Sequence, residues 1–494
     1  MNRILEMEQH TTVVWFRRDL RLHDHAALAA AVKRGNVVPL YIWSPDEEGE
    51  SCPGAASRWW LHQSLSELDL GLRRLGSRLI FRSGPIVPTL ERLCSEVNAD
   101  GLVWHRLYEA NAIRHEEALR ARLGTKIFYM ESFPGYLLIE PSTLLNQSGR
   151  PYQVFTPFWK RCVQGLAPNK PISCPREVHP PKVWPKSESL SKWGLQPTLP
   201  WARGIESRWK PGEAAALILM SRFVRKRVLQ YGTQRNRPDC DGTSELSPSL
   251  HFGEISPRQI WDALRRFAVR ESIATPVWKG WQFLAEVGWR EFAGYLLYHF
   301  PHTSTKPLRP EFSRYPWTQK RNYLSEWQRG QTGYPIVDAG MRQLWSTGWM
   351  HNRVRMIVAS FLVKHLRIPW QEGAGWFWDT LVDADLANNS LGWQWTTGCG
   401  ADASPYFRIF NPMTQGEKFD PQGEYVRRWI PELKSLPDKY LNRPWEASST
   451  ILIQAKVRLG VDYPNPVVDH GVARQRALDG YAEMRVASEN GASA

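Results

Sequence analysis

Short apolar runs alternate with longer amphipathic segments through the first 135 residues of the chain. The runs have the length of buried strands and lie at 11–16, 37–43, 78–81, 102–104 and 127–130. The segments between them repeat their apolar residues with a helical period, at 26–33, 55–75, 86–98 and 111–123. Gly35, Gly76 and Gly124 lie near the ends of three of these segments, where glycine commonly stops a helix. Strands and helices in this order predict a doubly wound, Rossmann-like parallel sheet.

The pattern changes in the second half of the chain. A stretch rich in proline, lysine and serine at 166–200 has little periodicity and is typical of a connector between domains. Beyond Glu213 the apolar positions repeat with a helical period, at 214–231, 257–269, 280–299, 335–346, 349–366 and 472–486. We therefore predict an α/β domain at 10–140, a connector at 141–212 and an all-α domain at 213–486.

The 494-residue chain is basic, with 63 lysines and arginines against 49 acidic residues and a net charge of +14. This excess favours a polyanionic partner, with nucleic acid as the leading candidate, although evenly solvated surface charges would give the same sum. The 25 tryptophans are also unusual. Such large rings fill cores or form stacking surfaces, so they point to flat aromatic ligands as one use.

Other features of the composition narrow the class of protein. The six cysteines include no CxxC pair and no Cys/His cluster, so neither a zinc site nor a disulfide framework is predicted. No apolar stretch reaches the roughly 20 residues that span a bilayer, and the N-terminus has no apolar signal core. We expect a cytoplasmic protein with no membrane partner and, since no coiled-coil pattern occurs, a monomer.

A segment at 241–257 collects hydroxyl-bearing and small residues just before a helix start. Ser256 is the predicted N-cap, and Pro257 occupies the first helical position. Hydroxyls with free backbone N–H groups suit a phosphate or pyrophosphate. Because such residues more often serve only as caps, the sequence by itself leaves both interpretations open.

Two further segments mix residue types that a purely structural helix rarely combines. Helical spacing at 349–356 would bring an indole, an amide, a guanidinium and a thioether to one face, from Trp349, Asn352, Arg353 and Met356. Glu286 and Trp289 are three residues apart within an apolar stretch, where a carboxylate needs a partner. Either Glu286 pairs with Arg290 four residues on, or it binds a ligand; both interpretations stay open.

The run 383–395 brings two acids, two amides and two indoles into a short span. Paired acids such as Asp383 and Asp385 suggest a metal site or acid–base catalysis. Hard metal ions, however, generally take more oxygen ligands than this span supplies. No metal site is predicted.

Taken together, these segments resemble the DNA photolyases and cryptochromes. The resemblance starts at 14–22, VWFRRDLRL, ends with PYFRIFNP at 405–412, and covers the chain from about residue 11 to 483. Its motifs are long and keep their order along the chain. The family implies an N-terminal α/β antenna domain, a connector and a helical domain that holds a bent FAD, which agrees with the domains predicted from periodicity.

The resemblance also implies which residues bind FAD. Its phosphates and ribityl chain would be held by Tyr231, Thr243, Ser244, Glu245, Leu246 and Ser247. Asp383, Ala384 and Asp385 would lie near the isoalloxazine and adenosine parts, with Arg355 paired to Asp383 so that no charge beside the flavin is unpaired. Asn389 would face flavin N5, where an amide tolerates the anionic reduced flavin. Plant cryptochromes have aspartate there, so the asparagine favours repair.

UV-damaged DNA is the partner that the resemblance implies. Trp289 and Trp395 would wall a pocket for a flipped-out pyrimidine dimer, and Glu286 would hydrogen-bond the thymine edge. Asn352 and Met356 would also face the dimer, where six-four photolyases carry a histidine pair. The residues expected to contact DNA are Arg235, Glu286, Trp289, Arg290, Asn352, Arg353 and Gln415.

The family mechanism is electron transfer driven by blue light. Excited reduced FAD passes an electron to the dimer, the cyclobutane ring opens, and the electron returns, while the protein supplies position and electrostatics. Trp393, Trp370 and Trp317 would conduct an electron inward to reduce oxidised flavin. Without the resemblance each of them would be taken for an ordinary core indole.

The N-terminal half narrows the subfamily. The segments 41–49 and 53–60 look like plant cryptochromes and class III dimer photolyases, a group with a folate antenna. Glu109 matches a carboxylate that contacts 5,10-methenyltetrahydrofolate. Plant cryptochromes carry long C-terminal extensions, so a chain ending at 494 favours an enzyme. The main hypothesis is a dimer photolyase; the alternatives are a cryptochrome-type photoreceptor, a six-four photolyase and a flavin- and DNA-binding protein with little repair activity.

Overall fold

The computed structural model describes residues 10–403 and 407–491, so that Pro405 and Tyr406 of the last motif lie outside the described residues. Its N-terminal part is a parallel sheet with the strand order β3-β2-β1-β4-β5. The strands are β1 His10–Phe16, β2 Gly35–Trp43, β3 Ile80–Ser83, β4 Gly101–His105 and β5 Tyr129–Phe133. The helices between them are α1 Ala26–Arg34, α2 Ala55–Arg74, α3 Ile86–Glu96 and α4 Ala110–Leu123. This arrangement confirms the predicted doubly wound sheet.

The central strand β1 is buried on both faces. Val14 and Phe16 pack into one hydrophobic cluster, and Val13 and Trp15 pack into another on the opposite face. β1 pairs with both β2 and β4, so the strands after β1 are added first on one side of it and then on the other. The carboxyl ends of β1 and β4 therefore diverge into a crevice, which is where ligands bind in open α/β sheets.

Most of the regular structure beyond β5 is helical, as predicted, but residues 166–189 form neither helix nor strand. The helices of eight or more residues are α5 Phe155–Gly165, α6 Glu213–Lys226, α7 Pro257–Arg270, α8 Gln282–His299, α9 Arg321–Arg329, α10 Pro335–Thr347, α11 Asn352–Ser360, α12 Trp370–Thr380, α13 Leu386–Thr397, α14 Pro412–Phe419 and α15 His470–Gly491. Shorter helices are Pro45–Glu48, Arg203–Arg208, Tyr231–Gln234, Ser247–His251, Thr275–Lys279, Glu424–Trp429, Asp438–Leu441 and Ser449–Ala455. None of the described helices combines the length and apolarity that crossing a bilayer requires.

The structure shows why two of the predicted helices have different bounds. The segment 214–231 was expected to be one helix, but α6 ends at Lys226, and Arg227 has φ −131° and donates to the carbonyl oxygen of Thr243 (3.2 Å). The segment 349–366 starts as a helix only at Asn352, because His351 caps it by accepting from the N–H of Arg353 (3.2 Å). It then continues as a π-helical turn at Phe361–His365. A tertiary hydrogen bond and a local cap, which apolar periodicity does not report, set these ends.

The α/β and helical parts meet along a tightly locked segment that follows β1. The N–H of Leu20 donates to the carbonyl oxygen of Phe252 (3.1 Å), and the buried Arg21 guanidinium donates to the carbonyl oxygen of Gly253 (2.9 Å). Gly253 has φ +68°, and a Cβ added there would lie 2.1 Å from the carbonyl oxygen of Arg18. Only glycine allows the two backbones to approach this closely.

We expect Gly253→Ala to destabilise the protein strongly. A left-handed φ costs a non-glycine residue about 1–2 kcal/mol, and the backbone clash adds to this cost. The change should lower the thermal unfolding midpoint by several degrees in a calorimetric or fluorescence melt. Gly375→Ala in α12 is the matched control, because a Cβ there meets nothing within 4 Å, and its midpoint should not fall. Equal midpoints for the two variants would contradict the close approach at Gly253.

Candidate functional site

The hydroxyl-rich loop at 241–246 precedes the short helix Ser247–His251. Glu245 adopts a left-handed conformation with φ +55°, and its carboxylate pairs with Arg208. The half-buried Ser244 hydroxyl accepts from the N–H of Leu246 (3.4 Å), while the exposed Ser247 accepts from Trp349 Nε1 (3.3 Å). The predicted cap is also present, since Ser256 and Gln259 form a capping box at the start of α7. The loop thus presents hydroxyl groups next to an indole on the helical domain.

Arg355 and Asp383 form the ion pair that the resemblance implies. Nη2 of Arg355 lies 3.0 and 2.8 Å from the two carboxylate oxygens, and its Nε donates to the carbonyl oxygen of Met350 (2.7 Å). The Asp383 side chain is only 2% exposed. A buried carboxylate of this kind is stable only while its cation is in place.

Asp385 has different partners from Asp383. It caps α13 by accepting from the N–H and side-chain amide of Asn388 (3.0 and 2.7 Å). Its other oxygen accepts from the Tyr136 hydroxyl and lies 3.2 Å from His251 Nδ1. Burial opposes ionisation of Asp385, but the hydrogen bond and charge of His251, with Arg18 and Arg290, hold its pKa well below the usual value. Protein groups therefore contact both carboxylate oxygens of Asp385.

Within residues 10–403 and 407–491, three potential metal ligands come together elsewhere, at Asp19, His25 and His105. Asp19 Oδ2 lies 2.9 Å from His25 Nε2 and 2.8 Å from His105 Nδ1. The His105 contact is a hydrogen bond, whereas His25 Nε2 lies close to the carboxylate without hydrogen-bond geometry. The group joins the end of β1 to the end of β4 from inside the protein.

Glu286 pairs with an arginine from outside its own helix. Its Oε1 lies 2.8 Å from Arg235 Nη2 and accepts from the Gln282 amide (2.7 Å). The intrahelical pair with Arg290 is therefore wrong. Arg290 is 8% exposed and donates to the carbonyl oxygens of Tyr136 (2.9 Å) and Leu250 (3.3 Å). The prediction that Arg290 contacts DNA is also wrong, because its guanidinium is committed inside the protein.

The other residues predicted to face the dimer lie around this ion pair or on neighbouring helices. Trp289 stacks face to face on Phe155, with ring centroids 3.9 Å apart. Arg353 donates to the Asn236 side chain (2.8 Å) and lies over the ring of Phe419. Asn352 is exposed, and the partly exposed predicted residues are Met356, Trp395 and Gln415. Polar and aromatic groups of the kind that bind a base therefore reach the surface here.

Asn389 and Trp393 lie on α13, opposite α12. The Asn389 amide nitrogen donates to the carbonyl oxygen of Ala374 (3.0 Å), so α12 fixes one N–H of this side chain. The Trp393 ring is buried, and a Cβ at Gly373 of α12 would lie 2.1 Å from it. The glycine therefore creates the slot that the indole fills.

The three predicted electron-transfer tryptophans belong to one hydrophobic cluster, in which Trp393 and Trp370 are buried and Trp317 is partly buried. Their closest ring neighbours are different residues. Trp393 lies 5.0 Å from Phe377 and 6.2 Å from Trp327, and Trp317 lies 4.5 Å from Tyr315, measured between ring centroids. Sequence reasoning missed Trp327, because a single buried indole in α9 carries no motif.

His351 is a second residue that the sequence did not single out. Its Nδ1 caps α11, so the neutral ring carries its proton on Nε2. That Nε2 is buried and has no hydrogen-bond partner among the described residues. Burial, together with Arg355 and Arg353, lowers the pKa of His351 to about 3. A buried donor without an acceptor is the kind of group that a bound ligand completes.

The crevice at the carboxyl ends of β1, β2 and β4 opens into a cavity of about 1340 Å³, counting the open space at its mouth. We call it the interdomain cavity. The α/β part contributes acidic residues and aromatic rings, and the helical part contributes Trp378, Ala384 and Leu386. Glu109 lies in its wall, paired with Arg18. Ala384, which the resemblance placed among the flavin-binding residues, thus lines this cavity.

Comparison with known proteins agrees with this geometry. Residues 12–177 match the family model described as DNA photolyase, and residues 283–483 match the FAD binding domain of DNA photolyase. The chain is 47% identical over 486 residues to a deoxyribodipyrimidine photo-lyase of Agrobacterium fabrum, covering 97% of this chain and 99% of that protein. It is 38% identical to cryptochrome-1 of Arabidopsis thaliana, covering 97% of this chain and 72% of that protein.

Solved structures give the same result. A class III photolyase from Agrobacterium tumefaciens superposes with a TM-score of 0.93 at 47% identity, covering 98% of this chain and all of that one. A cryptochrome from Synechocystis superposes with a TM-score of 0.86 at 30% identity, covering 95% and 98%. The chain therefore belongs to the photolyase–cryptochrome family and carries that family's FAD-binding domain.

Proposed function

We propose that the protein is a blue-light-driven DNA photolyase that splits cyclobutane pyrimidine dimers. The observation that carries the proposal is the pairing of Arg235 with Glu286 beside Trp289, in a chain that matches a bacterial photo-lyase over nearly its full length. A cation for the DNA strand, a carboxylate for the base edge and a ring for stacking meet at one surface. Damaged DNA would be the partner of a cytoplasmic monomer, and 10–140, 141–212 and 213–486 its domains.

The residues of the helical domain fit FAD. Hydroxyls from Thr243, Ser244 and Ser247 suit its phosphates and ribityl chain, with Tyr231, Glu245 and Leu246 shaping the loop around them. The Arg355–Asp383 pair is internally neutral, and the His351 donor lacks an acceptor, so both suit a buried polar ring system. When bound, reduced FAD supplies the electron that light transfers to the dimer.

The protein's own groups position the substrate. Trp289 and Trp395 would stack on the flipped bases, and Glu286 would hold the thymine edge, with Asn352 and Met356 completing the pocket. Arg235, Arg353 and Gln415 would contact the DNA strand, so binding should weaken as salt increases. Asn389 would accept a hydrogen bond from the reduced flavin ring, since its own amide is held by Ala374.

The interdomain cavity suits a folate antenna. Its wall has two carboxylates, from Glu48 and Glu109, together with the rings of Trp15, Tyr41 and Trp43. The pteridine ring of 5,10-methenyltetrahydrofolate is flat and offers N–H donors, which match rings and carboxylates respectively. Burial and the nearby Glu109 raise the pKa of Glu48, so a ligand that donates to either acid would relieve their repulsion.

The proposal is tested with an oligonucleotide that carries one cyclobutane dimer. Protein with chemically reduced flavin should remove the dimer under blue light and leave it intact in the dark. A second oligonucleotide with a six-four photoproduct should stay unrepaired. If the flavin-loaded protein leaves the cyclobutane dimer intact in the light, the photoreceptor interpretation replaces the proposal.

Replacing Trp393 by phenylalanine should block light-driven reduction of the oxidised flavin. The indole would be the first electron donor, and phenylalanine fills the slot at Gly373 without being readily oxidised. Repair by protein that is already chemically reduced should continue. Trp261→Phe, in a hydrophobic cluster outside the one that contains Trp393, is the control and should reduce its flavin normally. Normal photoreduction in Trp393→Phe would remove Trp393 from the electron pathway.

A further inference from the structure

Arg18, two residues after the end of β1, lies between two carboxylates from different parts of the protein. Its Nη2 pairs with Glu109 in the wall of the interdomain cavity, and its Nη1 lies 4.0 Å from Oδ2 of Asp385. The guanidinium also lies 5.0 Å from the ring centroid of Tyr136, whose hydroxyl donates to Asp385. The Arg18 side chain is 18% exposed, so water screens these interactions only in part.

Asp385 connects these contacts to α13, the helix that is proposed to face the flavin. Asp385 caps α13, and α13 carries Asn389, Trp393 and Trp395. The positive charges that reach Asp385 from outside its own helix are those of Arg18, Arg290 and, if protonated, His251. The strength of the Arg18 contact therefore bears directly on how firmly the start of α13 is held.

The backbone of Arg18 is held in place, so it cannot move toward Glu109 or toward Asp385. The carbonyl oxygen of Arg18 packs against Gly253, and the next residues are bound to the helical domain through Leu20 and Phe252. Only the guanidinium can shift, and one positive charge is shared between two acids. When another group hydrogen-bonds to Glu109 in place of Arg18, the Arg18 guanidinium interacts more strongly with Asp385.

We infer that Arg18 is a positioning residue that couples the interdomain cavity to α13. A ligand that turns N–H donors toward Glu109 frees Arg18 to approach Asp385 and so strengthens the retention of FAD. The chemistry requires a flat ring with adjacent N–H donors, as in a 2-amino-4-oxopteridine. The inference rests on the proposed function for the identity of that ligand and for the position of FAD beside α13, but the contacts of Arg18 with the two acids do not depend on it.

The first experiment measures FAD affinity with and without bound 5,10-methenyltetrahydrofolate, whose own binding is followed by its absorbance. Coupling between two protein sites usually changes affinity 5- to 150-fold, so we expect about 5-fold or tighter FAD binding when folate is bound. Arg18→Gln should remove this gain. Arg106→Gln is the control and should keep it, because Arg106 pairs with Glu140 and lies outside the cavity wall.

A second experiment needs no cavity ligand. Glu109→Gln removes the competing carboxylate, so it should strengthen FAD retention in the protein with Arg18 and have no effect in the Arg18→Gln background. An unchanged FAD affinity in Glu109→Gln, or an equal change in both backgrounds, overturns the inference. Failure of folate to bind overturns the proposed antenna alone. A folate gain that survives Arg18→Gln in full overturns Arg18 as the coupling residue.

Discussion

Replacing Glu286 and Trp289 together by alanine is expected to abolish light-driven dimer repair while leaving FAD bound. A hydrogen bond to a charged group contributes about 1.5–3 kcal/mol, and stacking of a base on an aromatic ring contributes about 1–3 kcal/mol. Loss of both should weaken productive binding of the dimer by roughly 100-fold or more, since every 1.4 kcal/mol is about tenfold. The measurement is the rate of dimer loss under blue light at limiting DNA concentration.

A single variant and a control test the contribution of Glu286. Glu286→Gln keeps a hydrogen-bonding group but leaves Arg235 without its carboxylate, so repair should fall less than in the double variant. Glu271→Ala with Trp201→Ala removes the same residue types at exposed positions and should repair normally. A folded, flavin-loaded Glu286 and Trp289 double variant that still repairs dimers at the normal rate would show that the dimer binds elsewhere.

Asp383→Asn is expected to release FAD. The substitution leaves the Arg355 guanidinium without its buried carboxylate, and breaking a buried pair on one side costs about 3–5 kcal/mol. Because Arg355 itself is partly exposed, we expect the lower end, or roughly 100-fold weaker FAD retention. The ratio of flavin to protein absorbance after gel filtration, and the temperature at which flavin fluorescence appears, measure this loss.

Two further variants serve as comparisons: one removes both charges of the buried pair, and the other breaks ion pairs at the surface. Arg355→Gln combined with Asp383→Asn removes both charges and should regain part of the lost affinity. Asp262→Asn breaks contacts with Arg265 and Arg266 on α7, where water screens the charges, and should retain FAD fully. Normal FAD content in Asp383→Asn would mean that the ion pair does not border the flavin.

Apolar periodicity predicted most of the fold because the buried face of a helix or strand sets the spacing of its apolar residues along the chain. The central strand β1 has both faces covered and ends in four consecutive apolar residues, Val13 to Phe16, so it was predicted within one residue. The break after Lys226 was missed because a hydrogen bond from Arg227 to Thr243, 16 positions away, sets it. Such long-range bonds leave no trace in local patterning.

In the candidate site, too, some contacts could be predicted from the sequence and others could not. The Arg355–Asp383 pair followed from the resemblance and is present. The intrahelical pair of Glu286 and Arg290, one of the two interpretations left open, does not form, because helical spacing makes two residues neighbours without fixing which way each side chain turns. Arg290 turns toward the carbonyl oxygens of Tyr136 and Leu250, and Glu286 turns to Arg235. The roles of Arg18 and His351 depend on residues that come close to them only in the folded protein.

The close approach at Gly253 also bears on how the protein can be dissected. Cutting the chain between its two halves would strand the Arg21 guanidinium and the Glu254 carboxylate, which is buried against Trp60 and Gly212, without their partners across the cut. Neither fragment should survive as a separate module, and a flavin-binding fragment expressed alone should aggregate. Grafting another α/β domain onto this helical half would require transplanting the residues around Arg18 with it.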